Sequence, residues 1–261
     1  MARQSLLWVL VLVVLTGREG RAEDTSHGWD GGVFLTVSGG YHTASRAFAY
    51  GDTQTVFQEE ASAQARITQN GAPALDVGGG VRLFGPLGIG ATLSTVHAKQ
   101  ITALTVTVPH PLLFDRPATA TAVDSRQRNE VVLHLQAIVM AQVGRKLRLG
   151  LFGGPSRFWI HQALADDAEL EPTLNSDLSF VVAIPTVLYN TVNASAWGFH
   201  AGAELNLRVS RNVSIGGLAR YSRGIAHVEN ALFAARTRNE GKTVELELGG
   251  LSVTGGLKLW F

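Results

Sequence analysis

Asp76, Arg82, Glu130, Arg148, Glu204, Arg208, Arg220 and Lys258 share one property: each falls on the polar side of a run whose other side is apolar. Both signs occur at similar depth in different runs. That pattern suits an ion-pair network held inside a narrow sheet, or a gated polar path along it. A lone buried charge is costly, so Arg208 and Glu204 are each expected to find an opposite partner across the interior. His110 stands between Pro109 and Pro111, whose rings restrict the backbone and could present the imidazole to a loop ligand. The plainer expectation is a rigid turn at a loop apex with His110 solvated. His97, His161 and His227 fall near strand tops, so a loop-level metal cluster is conceivable, but no metal set is assigned. No catalytic pair emerges. His42 and Ser45 are the nearest approach of base and nucleophile, and their spacing in a strand points them to opposite faces. The expectation is therefore no enzyme, no catalytic residue and no cofactor.

The elements that must position these charges are strands. Segments near 32–42, 74–84, 87–97, 130–143, 147–157, 196–209, 213–223 and 249–261 alternate with a period of two. In the sixth, Trp197, Phe199, Ala201, Ala203, Leu205, Leu207 and Val209 oppose His200, Glu204, Asn206 and Arg208. A slip of one residue would reverse both faces, which pins the register. Gly39-Gly40 and Gly153-Gly154-Pro155 could each hold a bulge.

Three links are tight: Gly85-Pro86, Gly144-Arg145-Lys146 and Ser210-Arg211-Asn212. The other connections, near 43–73, 98–129, 158–195 and 224–248, are long. Alternating short and long links put all the short ones at one end, as in transmembrane barrels with short periplasmic turns and long extracellular loops. The fold class read from this is all-β, an eight-stranded antiparallel up-and-down transmembrane barrel. A lipocalin-like soluble barrel would alternate too. The many glycines and mixed charges on the polar face suit a crowded interior better than a solvated exterior. Tyr41, Trp197, Phe199 and Tyr221 fall toward the loop-bearing ends, where an interfacial girdle belongs. Ile101 to Val108 and Phe180 to Val192 are rich in β-formers, so strands are expected to continue above the membrane. Asp166 to Glu171 reads as an acidic, solvated stretch.

Residues 1–22 read as a cleaved secretory leader, with Arg3 before an apolar stretch and Gly20-Arg21-Ala22 as a cleavage site, leaving 23–261 as the barrel. The ending Leu257, Leu259, Phe261 has the alternating, aromatic-terminated form of an outer-membrane sorting signal, to be read by the barrel-insertion machinery. No envelope-tethering domain is expected after Phe261. The net charge of +1 falls to about −1 once Arg3, Arg18, Glu19 and Arg21 leave with the leader. That balance argues against nucleic acid as a partner. The chain has no cysteine, so a closed hydrogen-bonded ladder and not a disulfide framework must hold it.

Val77-Gly78-Gly79-Gly80-Val81-Arg82-Leu83-Phe84, Val108-Pro109-His110-Pro111-Leu112-Leu113-Phe114, Leu151-Phe152-Gly153-Gly154-Pro155-Ser156 and Gly255-Gly256-Leu257-Lys258-Leu259 together resemble a family of outer-membrane β-barrel-domain proteins from Gram-negative soil bacteria. The resemblance covers nearly the whole chain after the leader. It implies a small eight-stranded barrel of the OmpA-like or OmpW-like type in the bacterial outer membrane, among lipid and lipopolysaccharide. It implies no particular activity and carries no site residues across. The function expected is a structural or surface-interaction role with a packed polar lumen and an unspecified extracellular partner. The alternatives are a binder or conduit for small hydrophobic molecules, with Val181, Val182, Ile184, Val187 and Leu188 lining a lateral pocket, and, further off, a lipid-modifying enzyme.

Overall fold

The computed structural model describes residues 28–43, 46–230 and 242–261. The leader expected over 1–22 lies outside the described residues. Ten strands form in chain order: β1 (Val33–His42), β2 (Arg46–Val56), β3 (Glu59–Gln69), β4 (Ala72–Phe84), β5 (Leu87–Val108), β6 (Ala118–Gln142), β7 (Leu147–Leu174), β8 (Phe180–Arg208), β9 (Val213–Asn230) and β10 (Lys242–Trp260). Eight of them close a ring, β1-β4-β5-β6-β7-β8-β9-β10 and back to β1, with every pairing antiparallel. Closure leaves no edge at membrane depth, where an unpaired backbone group would have no water to bond.

The alternation decides which wall meets what. Leu75, Val77, Leu205, Leu207, Ile215, Leu257 and Leu259 stand outward and exposed, while Asp76, Asn206, Ser214 and Lys258 between them are buried. An outward apolar face on a closed sheet with a charged interior is the membrane arrangement, the reverse of a soluble barrel. Polar pairs end the apolar band: His97 with Asn129 (2.8 Å), His161 with Asn193 (2.7 Å), Arg157 with Ser195 (2.7 Å) and Arg223 with Glu247 (2.9 Å). Just below them Trp197 lies under the Arg157 guanidinium, 5.3 Å from ring centroid to Cζ, and Tyr41, Phe199 and Tyr221 are also exposed there. Among the described residues no helix is long and apolar enough to cross a membrane; the crossing is made by strands.

The short links sit at the opposite end. Val143 N donates to Leu147 O (3.0 Å), Val209 N to Val213 O (2.9 Å), and Gly32 N to Phe261 O (2.8 Å) beside them. At Gly39-Gly40 and Gly153-Gly154-Pro155, where bulges are expected, the register does not shift; the β6–β7 ladder skips Gly154 and Pro155 and resumes in the same register. Shifts occur instead near Arg82, at Ala165/Asp167 and at Glu169/Glu171. The acidic stretch is therefore part of β7, with Glu169 and Glu171 exposed on it and Asp166 and Asp167 half-buried.

Above the polar pairs the ring divides into three leaves. Pairing of β6 with β7 stops at Arg128 and Gln162, and pairing of β8 with β9 stops at Gly198 and Gly224. One leaf joins upper β5 and β6 to β3 and β2, the hairpin into which the expected loop 43–73 folds. The second is upper β7–β8, and the third upper β9–β10. All three close on one apolar core of Ile67, Phe158, Ile160, Leu164, Val228, Leu246 and Leu248. A second cluster, Ala65, Leu104, Val106, Ala165 and Ala168, joins the first two leaves.

Candidate functional site

From the short-turn end upward, the lumen is filled in layers. Trp29, Phe34 and Trp260 form a floor with ring centroids 5.4–5.9 Å apart, packed against Ile138, Met140 and Phe152. The indole N–H of Trp29 donates to Pro86 O (2.9 Å), and that of Trp260 to Ser214 Oγ (3.0 Å), so neither ring is buried at the cost of a lost hydrogen bond. Gly88 makes the floor possible: a Cβ there would stand 2.3 Å from two carbons of the Trp29 ring. Asp30 accepts from Arg148 Nη2 (2.7 Å) and Arg208 Nη1 (2.9 Å), and Lys258 Nζ pairs with Glu204 while lying 4.3 Å from the Phe34 ring centroid. The lysine meets its counter-charge and a ring face together, as a desolvated ammonium requires.

At mid-height Arg220 donates to both oxygens of Asp76 (2.9 and 3.1 Å) and to Ser94 Oγ (2.8 Å). Beside them Ser156 Oγ lies 2.8 Å from His134 Nδ1 and 2.9 Å from His200 Nδ1. One hydroxyl proton cannot serve two acceptors, so at least one of the two rings must carry its proton on Nδ1 and donate it to Ser156 Oγ. Higher still, Arg128 pairs with Glu130, whose other oxygen accepts from Gly249 N (3.2 Å). Gly249 has φ +81°, a conformation a side chain would strain, and this turns its peptide toward the lumen. Its carbonyl faces His42 Nε2 (3.2 Å), which must therefore bear the proton, leaving Nδ1 to accept from Ser252 Oγ (2.8 Å). The apolar core of the leaves closes the lumen above.

Of the charges expected inside, Asp76 and Arg220 meet each other, as do Glu204 and Lys258. Glu130, Arg148 and Arg208 have partners the alternation did not single out, Arg128 for the first and Asp30 for the other two. Arg82 stands apart: its Nε donates to Gly85 O (2.9 Å) at the turn, so it caps a hairpin, and among the described residues it joins no ion pair. Asp30 and Trp29 precede the first strand and carry no periodic signal. The His134, Ser156 and His200 cluster comes from three strands, so no local spacing could reveal it; only their shared place on the polar face pointed inward. It has the elements of a nucleophile and base, but Ser156 is fully buried and Phe152 and Phe158 pack against the two imidazoles.

His97, His161 and His227 lie on the outer face with Asn129, Asn193 and Glu245 as partners, and among the described residues no three His, Cys, Asp or Glu side chains are grouped to hold a metal ion. His42 bonds Ser252; Ser45 lies outside the described residues. His110 is buried, not solvated. Its Nδ1 accepts from Leu112 N and Leu113 N (3.0 Å each), so the proton is on Nε2, which donates to Leu178 O (3.0 Å); Phe180 packs edge-on. Both ring nitrogens are used to latch the β5–β6 loop to the β7–β8 turn, which leaves none for a ligand. Of the five residues expected to line a lateral pocket, three turn inward. Val182 is buried, Ile184 and Val187 pack into the second cluster, and Val181 and Leu188 face out. A cavity of about 170 Å³ lies instead beneath the β2–β3 hairpin, lined chiefly by Val56, Ala61, Ala63, Val106, Val108 and Leu170.

No protein-family model and no curated protein matches the chain. Solved structures do. The outer membrane protein OprG from Pseudomonas aeruginosa superposes with a TM-score of 0.50 at 8% identity, covering 89% of this chain and 97% of that one. Neisserial surface protein A (NspA) gives 0.42 at 12%, covering 88% and 99%. The outer membrane protein AlkL, solved in lipid bilayers, gives 0.42 at 9%, covering 93% and 96%. The likeness to OprG is one of fold: this chain is a small barrel of the outer-membrane type.

Proposed function

We propose that this outer-membrane barrel is a sealed anchor that displays a rigid three-leaved β-structure for contact at the cell surface, and that it carries out no reaction. The observation that supports this most is the filling of the lumen at every level, from the Trp29–Phe34–Trp260 floor through the paired charges to the apolar core of the leaves. A ring of eight strands has an interior that side chains can fill, so sealing needs no extra plug domain. Purified protein in liposomes tests the reading. Flux of small polar solutes is expected to equal that of protein-free liposomes, and lipid A added to them should keep its acyl chains; clear flux or altered lipid A would contradict it.

The cavity beneath the β2–β3 hairpin favours a second reading, a binder of small apolar molecules. Its walls are largely aliphatic, with Ala61 and Ala63 leaving the space that a larger side chain would fill. Saturable uptake of an apolar fluorescent probe, lost in Ala63→Phe, would establish it.

A further inference from the structure

The positive-φ residues other than glycine among those described are Phe57 (51°), Gln58 (68°), Asp115 (57°) and Leu178 (64°). Bulky residues avoid this region, and such conformations collect where a backbone is held for use. All of them fall on three tips at the end away from the short turns: the β2–β3 turn, the β5–β6 loop and the β7–β8 turn. The tips are tied together. Asp115 N donates to Glu59 Oε1 (2.7 Å), and His110 Nε2 to Leu178 O (3.0 Å). Two of the strained residues, Phe57 and Leu178, and two neighbours of strained Asp115, Leu112 and Phe114, hold apolar side chains out in water. Phe57 is 54% exposed, Leu112 64%, Phe114 68% and Leu178 49%. A tied cluster of exposed large apolar residues marks a contact surface.

Resting on the surface-contact reading above, we infer that this crown seats on an apposed, uncharged lipid bilayer. The shape favours lipid over protein. The apolar groups stand on protruding tips, and the cavity beneath the β2–β3 hairpin is lined by none of the exposed crown residues. Leu and Phe offer apolar area without the Tyr, Trp and Arg anchors that dominate protein interfaces, Arg116 aside. Such side chains gain by entering the boundary between headgroups and acyl chains. The charge selects the kind of bilayer. Among the described residues of these tips, Glu59, Asp115 and Asp177 rim the crown against the single cation Arg116, a balance that disfavours an anionic surface. It equally disfavours a second crown facing the first.

The test holds the full chain in nanodiscs and adds separate phosphatidylcholine vesicles containing brominated lipid. The described tryptophans, at 29, 159, 197 and 260, lie on the floor or wall, so Phe114→Trp places a reporter on the crown. The nanodiscs should float with the vesicles, and fluorescence in Phe114→Trp should be quenched beyond the unsubstituted chain. Phe57→Ser with Leu178→Ser should cut flotation at least tenfold, while Phe57→Leu with Leu178→Met retains it. Heat-modifiable migration confirms that each variant is folded. Absence of flotation, flotation without quenching, flotation unaffected by the serine variant, or pairing of nanodiscs without vesicles would each overturn the lipid assignment. If adherence to whole cells persists in the serine variant, the surface-contact reading survives and this inference does not.

Discussion

Arg220 of β9 and Asp76 of β4 are 144 residues apart in sequence, yet the guanidinium touches both carboxylate oxygens inside the barrel, at 2.9 and 3.1 Å. Both side chains are almost fully buried. Removing one partner leaves a charge with no solvent to receive it, which costs about 3–5 kcal/mol, whereas replacing both by apolar groups of similar volume is often neutral. Asp76→Asn and Arg220→Met are each expected to lower unfolding stability in detergent by that order, and Asp76→Leu with Arg220→Met to recover most of it. Additive losses in the double variant would show that the pair does not act as a unit.

The floor makes a second prediction. Gly88→Val places a side chain where the Trp29 ring lies, and a ring that is displaced meets water. Tryptophan emission should shift to the red, and stability should fall by about 1–3 kcal/mol, the usual cost of overpacking. Unchanged emission would mean that Trp29 is not lodged against β5.

Alternation along β4, β8 and β10 was enough to read the ring, its eight strands and the inward charges, because a lipid wall and a packed lumen impose opposite demands on neighbouring residues. Asp30 and Trp29 were not legible: they enter the lumen from a segment with no strand period. The leaves were partly legible. Upper β5 and β8 are rich in β-formers, but residues 46–56 and 59–69 read as a loop, since their face is buried by other leaves and their small residues carry little hydrophobic signal. The flanking prolines single out His110 but do not reveal its burial, because the acceptor, Leu178 O, belongs to a distant turn.

His110→Ala removes a latch and leaves Leu112 N, Leu113 N and Leu178 O without their partner. Each unsatisfied group costs on the order of 1–3 kcal/mol where water cannot reach it. Hydrogen exchange should quicken across residues 109–114 and 175–179 with little change in the barrel wall. Quickening spread evenly over the wall would argue against a local latch.

Asp166 occupies the register shift in β7, above the membrane band. Partial burial, with the neighbouring Asp167 charge second, raises its pKa above the ordinary 3.8. The folded form therefore holds the proton more tightly than the unfolded one, and the ionised carboxylate weakens the leaf at neutral pH. As pH falls through the raised value toward 3.8 that weakening is relieved. Hydrogen exchange in residues 163–174 should slow across this window more in the unsubstituted chain than in Asp166→Asn. Equal pH profiles would remove Asp166 from the account.

The central claim is that alternate residues of one strand face acyl chains and a sealed interior. The chain has no cysteine, so single labels can be placed without background. Spin labels at Leu205, Asn206 and Leu207 of β8 in lipid vesicles read the claim directly, by their collisions with oxygen, which partitions into lipid, and with a water-soluble nickel complex. The account predicts high oxygen and low nickel accessibility at 205 and 207, with both low at 206. Nickel accessibility at 205 and 207 with loss of the alternation would contradict it.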